Sequence, residues 1–112
     1  MKDDLVYIRH ILDAIEKIEG YVSVGRDEFM AASHWHDATI LQLQIIGEAT
    51  KNLSQTTRST YTEVPWRLIA GLRDVLIHNY MGVDLDAVWQ ITQHDIPVLK
   101  QHIREIIDET GP

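Results

Sequence analysis

The chain has 112 residues, 45% hydrophobic and 24% charged, which fits one globular domain over residues 1–112 and opposes disorder. Cysteine is absent, which excludes disulfides, thiolate nucleophiles and cysteine-based zinc sites and fits a reducing cytoplasm. The formal net charge of −7 opposes nucleic-acid binding by bulk charge, so any RNA contact needs a local basic patch, assembled within one chain or between two.

From the N-terminus, Leu5, Ile8, Leu12 and Ile15 recur at three- and four-residue steps, and Ile11 and Ile18 widen the stripe. This predicts a helix over 4–19, with Asp3 and Asp4 at its acid-favouring start and Gly20 as its stop. Residues 21–25 read as a connection, and 27–32 as at most one short helical turn. Ala38, Leu41, Ile45 and Ala49, flanked by Ile46 and Leu53, predict a second helix over 35–53. Gly47 interrupts it at a cost of about 1 kcal/mol relative to Ala, which suits close packing of another helix.

Residues 54–62, rich in Ser and Thr, read as a loop. Pro65 suits the first turn of a third helix, which Leu68, Ile69, Leu72, Val75 and Leu76 carry towards Tyr80. Gly82 is a natural stop, and Asp84 can cap a fourth helix bearing Leu85, Val88, Trp89 and Ile96. Pro97 should kink or break that helix, whose stripe continues through Leu99, Ile103, Ile106 and Ile107. The expected fold is all-α, an up-and-down bundle of four to five helices. No apolar run approaches the roughly 18–20 residues that span a bilayer, and Met1-Lys2-Asp3-Asp4 does not resemble a secretory signal. A cytoplasmic protein without a membrane segment is expected.

Chemistry concentrates in Arg73-Asp74-Val75-Leu76-Ile77-His78-Asn79-Tyr80. Asp74 and His78 are spaced i,i+4, so the carboxylate can reach the imidazole, orient it and favour its protonated form. Arg73 and His78 are five positions apart, about 140° around an ideal helix, and cannot share one narrow face. Either the helix ends before His78, or the long Arg side chain reaches around, or two copies of the motif meet across a dimer. Metal-free RNA cleavage needs a proton removed from a 2′-OH, charge stabilised on a phosphorane-like transition state, and the leaving 5′-oxygen protonated. An imidazole can move both protons, and a guanidinium can hold two phosphate oxygens. Asn79 and Tyr80 can donate hydrogen bonds to phosphate or hold a base. The bland alternative is a solvated Arg, a polar His at a helix end and a half-buried Tyr.

Arg73, His78 and Tyr80 match the R-x4-H-x-Y pattern of HepT-like HEPN toxins. Ile45-Ile46-Gly47-Glu48-Ala49, Pro65-Trp66, Ile69-Ala70-Gly71-Leu72-Arg73, Gly82-Val83-Asp84 with Val88-Trp89, and Asp95-Ile96-Pro97-Val98-Leu99 resemble the same family, over nearly the whole chain. The resemblance implies a HEPN-like helical homodimer whose two motifs face each other in a cleft. It implies a metal-independent endoribonuclease toxin of a bacterial or archaeal toxin–antitoxin pair, with no cofactor. Its partners would be an RNA substrate and a minimal nucleotidyltransferase antitoxin, with which a higher complex can form. Arg73 and His78 would be catalytic, Asp74 and Asn79 supporting, and Tyr80 the site of AMPylation. Asp74 departs from the Asn of many relatives, trading RNA attraction for a stronger hold on His78. The acidic balance and Asp74 also suit a different reading, a non-catalytic subunit that binds or regulates a nucleotidyltransferase. A nucleotide-binding helical module without cleavage is the third.

The six His residues form no compact ligand set. His34 and His36 stand about 200° apart on a helix, His94 adjoins Asp95, and His102 lies farther on, so no metal site is expected. Trp35, Trp66 and Trp89 read as core or interface anchors, Glu48 as half of an ion pair, and Lys51 and Arg67 as solvated surface or an RNA-binding rim.

Overall fold

The computed structural model describes residues 2–78 and 84–110, with the side chains of 2, 3 and 73–78 left outside that description. Its elements are α1 Lys2–Val22, α2 Arg26–Ala31, α3 Ser33–Lys51, α4 Gln55–Thr60, α5 Trp66–His78, α6 Leu85–Gln90, a π-helical turn Ile91–Asp95, and α7 Ile96–Thr110. No strand occurs among the described residues, and the all-α expectation holds.

The core forms where the apolar stripes meet. Ile8, Ile11, Ile15 and Ile18 of α1 are fully buried, together with Leu43 and Ile46 of α3 and Ile103 of α7. Each such burial is worth about 1.5–3 kcal/mol. α1 packs chiefly on α3 and also on α7, while α5 packs on α3. Gly47 is buried on α3.

Two local expectations give way to tertiary structure. Gly20 does not stop α1, which continues to Val22. Its backbone hydrogen bonds offset glycine's weak propensity over one exposed position. Residues 54–62 are not wholly loop, because α4 occupies 55–60. The Ser54 hydroxyl accepts the Thr57 amide at 3.2 Å, so a Ser/Thr-rich segment supplies its own cap. Asp4, expected only to favour the start of α1, completes the arrangement. It accepts the Ser54 amide at 3.1 Å, the Ser54 hydroxyl at 2.5 Å and the Thr57 hydroxyl. The Arg58 Nη2 donates to the Thr50 carbonyl at 2.7 Å, fastening α4 to the end of α3.

The fourth predicted helix is one helical run with a π turn in it. Asp84 caps it as expected, accepting the amides of Asp86 at 3.0 Å and Ala87 at 3.2 Å. Pro97 has no N–H for the carbonyl four residues back. The chain answers by widening the preceding turn, where the Ile96 amide donates to Ile91 five residues back. The expected kink or break is thus absorbed as a π turn.

These contacts set the ends of the bundle. Asp4 joins the start of α1 to α4, just after α3, so α1 and α3 run antiparallel. Lys100 pairs with Glu19 at 2.9 Å, and the Tyr61 phenol donates to Glu109, so α7 runs antiparallel to α1 as well. The Trp66 indole donates to the Tyr61 carbonyl at 2.9 Å, which places the start of α5 at that same end. The far end of α5 therefore points to the opposite end of the molecule.

Candidate active site

α5 carries the predicted motif. Its described stretch runs without interruption from Trp66 to His78, placing position 78 about 18 Å along the axis from Trp66. The possibility that the helix ends before His78 is therefore removed. Arg73 and His78 stand on one continuous helix, and the separation of about 140° applies to their backbone positions.

The register of α5 gives the two positions different places around the helix axis. Trp66 and Ile69 are buried, Ala70, Gly71 and Leu72 are half-buried, and Arg67 and Leu68 are exposed. Counting about 100° per residue, position 73 falls between the registers of Trp66 and Ile69. Position 78 falls between the registers of Arg67 and Gly71. Asp74 stands about 40° from position 78 and one turn before it, so the i,i+4 relation of Asp74 and His78 is kept. Asn79 and Tyr80 lie outside the described residues.

The other candidates sort mostly into structure. Trp66 is buried, and Trp89 packs its ring 5.1 Å from Phe29 in the core. Trp35 is half-buried against His34 and Tyr21, with ring centroids 4.6 and 6.3 Å away. His36 meets the Met30 carbonyl at 3.1 Å and packs on Phe29, so it serves the α2–α3 junction. Among the described residues no three His, Asp or Glu side chains gather as a metal-ligand set. Glu48, Lys51 and Arg67 are exposed. Arg26 pairs with Asp86, linking the start of α2 to α6.

Shifted titrations mark the end of the bundle opposite the motif. Burial pushes the Asp4 carboxyl up, but the hydroxyls of Ser54 and Thr57 and the Ser54 amide outweigh it, leaving its pKa lowered. Burial raises the Tyr61 phenol, and its hydrogen bond to the Glu109 carboxylate and that group's charge add to the rise. Both groups therefore act in folding. The sequence reading missed the Asp4–Ser54–Thr57 cluster, although Ser54 is itself a preferred N-cap residue.

The family model described as "Ribonuclease HepT-like" matches residues 11–106, the span that includes α5 and its motif. This chain belongs to the HepT-like ribonuclease family. A Methanocaldococcus jannaschii protein named "Gamma-glutamylcyclotransferase and putative RNase" is 43% identical over 96% of the chain. The chain spans only 49% of that relative's length. "Probable ribonuclease HepT" of Thermococcus cleftensis is 40% identical over 84% of the chain and 86% of its own length. A "Putative RNase" of Caldanaerobacter subterraneus subsp. tengcongensis is 37% identical over 97% of the chain and 98% of its own length. No solved structure matches. Among the described residues, no helix of this HepT-like chain is long and apolar enough to cross a membrane.

Proposed function

We propose that this HepT-like chain is an endoribonuclease in which Arg73 and His78 act across a cleft shared by two copies. The observation that carries the reading is the unbroken α5 through His78, which leaves the two positions on different faces of one helix. A two-fold pairing of α5 helices offers Arg73 of one copy to His78 of the other. In each of the two composite sites the imidazole takes the 2′-OH proton and then gives it to the leaving 5′-oxygen. The 2′-oxygen attacks phosphorus, the bond to the 5′-oxygen breaks, and a cyclic phosphate end remains. Guanidinium groups hold the phosphate oxygens through the transition state, so the proposed chemistry needs no metal. Two Arg73 side chains in one cleft also supply a local basic patch within a chain of net charge −7.

The purified protein should cleave RNA in EDTA and leave cyclic phosphate ends. Arg73→Ala and His78→Ala proteins, each inactive alone, should regain activity on mixing and subunit exchange. The regained rate should be about a quarter of wild type, because half the dimers are mixed and each holds one intact composite site. No recovery, with exchange verified by mass, would place Arg73 and His78 of a single copy together instead.

The same reading makes the chain the toxin of a toxin–antitoxin pair, neutralised by a minimal nucleotidyltransferase that places AMP on Tyr80. An added phosphate two positions from His78 would bring negative charge and bulk against an RNA backbone. Incubation with ATP and the nucleotidyltransferase encoded beside it should add AMP mass to the wild type and none to Tyr80→Phe. Equal modification of both proteins would move the site elsewhere.

A further inference from the structure

Where α1 ends and α3 begins, Tyr21, His34 and Trp35 gather their rings at the surface. The Trp35 ring centroid lies 6.3 Å from that of Tyr21 and 4.6 Å from that of His34. Tyr21 and Trp35 are half-buried, but His34 is exposed. A tryptophan that anchors a core satisfies its indole N–H, as Trp66 does on the Tyr61 carbonyl. The buried Trp35 N–H has no hydrogen-bond partner among the described residues. An exposed imidazole laid against that ring adds nothing to the core, so packing alone does not account for the cluster. Because α1 and α3 run antiparallel, with the start of α1 tied to α4, the rings lie at the end of the molecule towards which α5 and its motif point. The flanking charges are of opposite sign: Lys17 stands one turn before Tyr21 and Asp37 one turn after His34, both exposed. The patch therefore offers aromatic surface rather than a phosphate track.

We propose that the Tyr21–Trp35–His34 cluster is a platform for an unpaired base of the RNA substrate, with His34 the ring that the base covers. Single strands expose the faces of their bases, and aromatic and imidazole rings bind those faces whatever the sequence. Bases in a duplex are already stacked on their neighbours, so the substrate class is single-stranded RNA. Stacking also suits the charge of this chain. At −7 it gains little from phosphate attraction over its whole surface, whereas a stacked base adds affinity that does not depend on net charge. This deepens the ribonuclease reading and rests on RNA being the substrate: the platform holds one nucleotide of the strand whose backbone enters the cleft.

Binding to a 2′-O-methyl oligoribonucleotide, which lacks the attacking hydroxyl and stays whole, tests this by fluorescence anisotropy of a dye on its end. His34→Ala should bind about tenfold more weakly, the scale of one lost base stack. His34→Phe keeps a ring and should bind close to wild type. His34→Lys keeps a charge without a ring and should bind as weakly as His34→Ala. An abasic strand of the same length should bind wild type and His34→Ala alike. His34 is exposed, so folding should be unchanged, which thermal melts check; the comparison of Phe with Lys stands even where Ala is less stable. Equal binding by wild type and His34→Ala, rescue by Lys as good as by Phe, or competition by a duplex as strong as by the single strand would each overturn the platform. A wild type that shows this His34 dependence yet leaves an unmodified strand uncut keeps the platform and sinks the nuclease reading. One that cuts RNA while His34→Ala binds normally keeps the nuclease and sinks the platform.

Discussion

His78→Ala is expected to lower RNA cleavage by about 10²–10⁴-fold, the range typical for losing a general acid–base group. Single-turnover cleavage of a labelled RNA in EDTA measures the chemical step. Circular dichroism that matches wild type separates this chemical loss from misfolding. Arg73→Ala should cost about 10²–10³-fold through lost transition-state charge stabilisation. Arg73→Lys separates charge from geometry, since an ammonium cannot grip two phosphate oxygens in a plane. It should recover only part of the loss. Asp74→Asn keeps a polar partner one turn before His78 but removes its charge, so RNA should bind more tightly while the rate falls slightly. Wild-type rates in His78→Ala would end the nuclease assignment to this motif.

Asp4→Ala should be the most damaging change outside the apolar core. Asp4 is 5% exposed and accepts three hydrogen bonds from Ser54 and Thr57. Removing it unties α1 from the cap of α4 and takes away the charged acceptor of the Ser54 amide and the Ser54 and Thr57 hydroxyls, a loss of about 2–4 kcal/mol at neutral pH. At roughly 4 °C or more per kcal/mol, the melting temperature should drop by about 10 °C or more. The sign of the pH dependence follows from the lowered pKa. The carboxylate's contribution is fully present above the unfolded value of about 3.9 and is lost as pH falls through the lower folded value. Wild type and variant should therefore converge below about pH 4 in thermal melts followed by circular dichroism. A gap that stays constant from pH 7 to pH 3 would show that the charge of Asp4 plays no part.

The sequence was most legible where one helix face meets one neighbour. The three- and four-residue steps of α1 map onto buried or half-buried positions, since periodic burial writes itself into composition. The stripe read for α3 does not: Leu41 and Ile45 are exposed, and the buried face runs through Thr39, Ile40, Leu43 and Ile46, which apolar residues on both sides of the helix concealed. The Asp84 cap was equally plain, because its side chain acts within three residues. What escaped was held in place from afar. α4 exists in a Ser- and Thr-rich segment because Asp4, fifty residues earlier in the chain, satisfies its cap. No local reading includes that contact. Gly20 misled for the converse reason: propensity is a weak prior, and a helix already packed through Ile15 and Ile18 carries past one poor residue.

For the candidate site, spacing alone found the residue types and the separation between Arg73 and His78, and left three ways to resolve it. The structure removes one of them by carrying α5 through His78.

The π turn at Ile91–Asp95 has a consequence for how the end of the chain can vary. It adds one residue to the helical count, so the phase of α6 and the phase of α7 are set independently along one continuous rod. α6 buries Val88 and packs Trp89 on Phe29 of α2, while α7 buries Ile96, Leu99, Ile103 and Ile106 in the core. A straight α-helix through the same residues would satisfy only one of these alignments, leaving the other turned by about 100°. The turn therefore works as a phase adjuster. Lengthening or shortening it by one residue would rotate everything beyond it, the core stripe of α7 included, while leaving every side chain chemically unchanged.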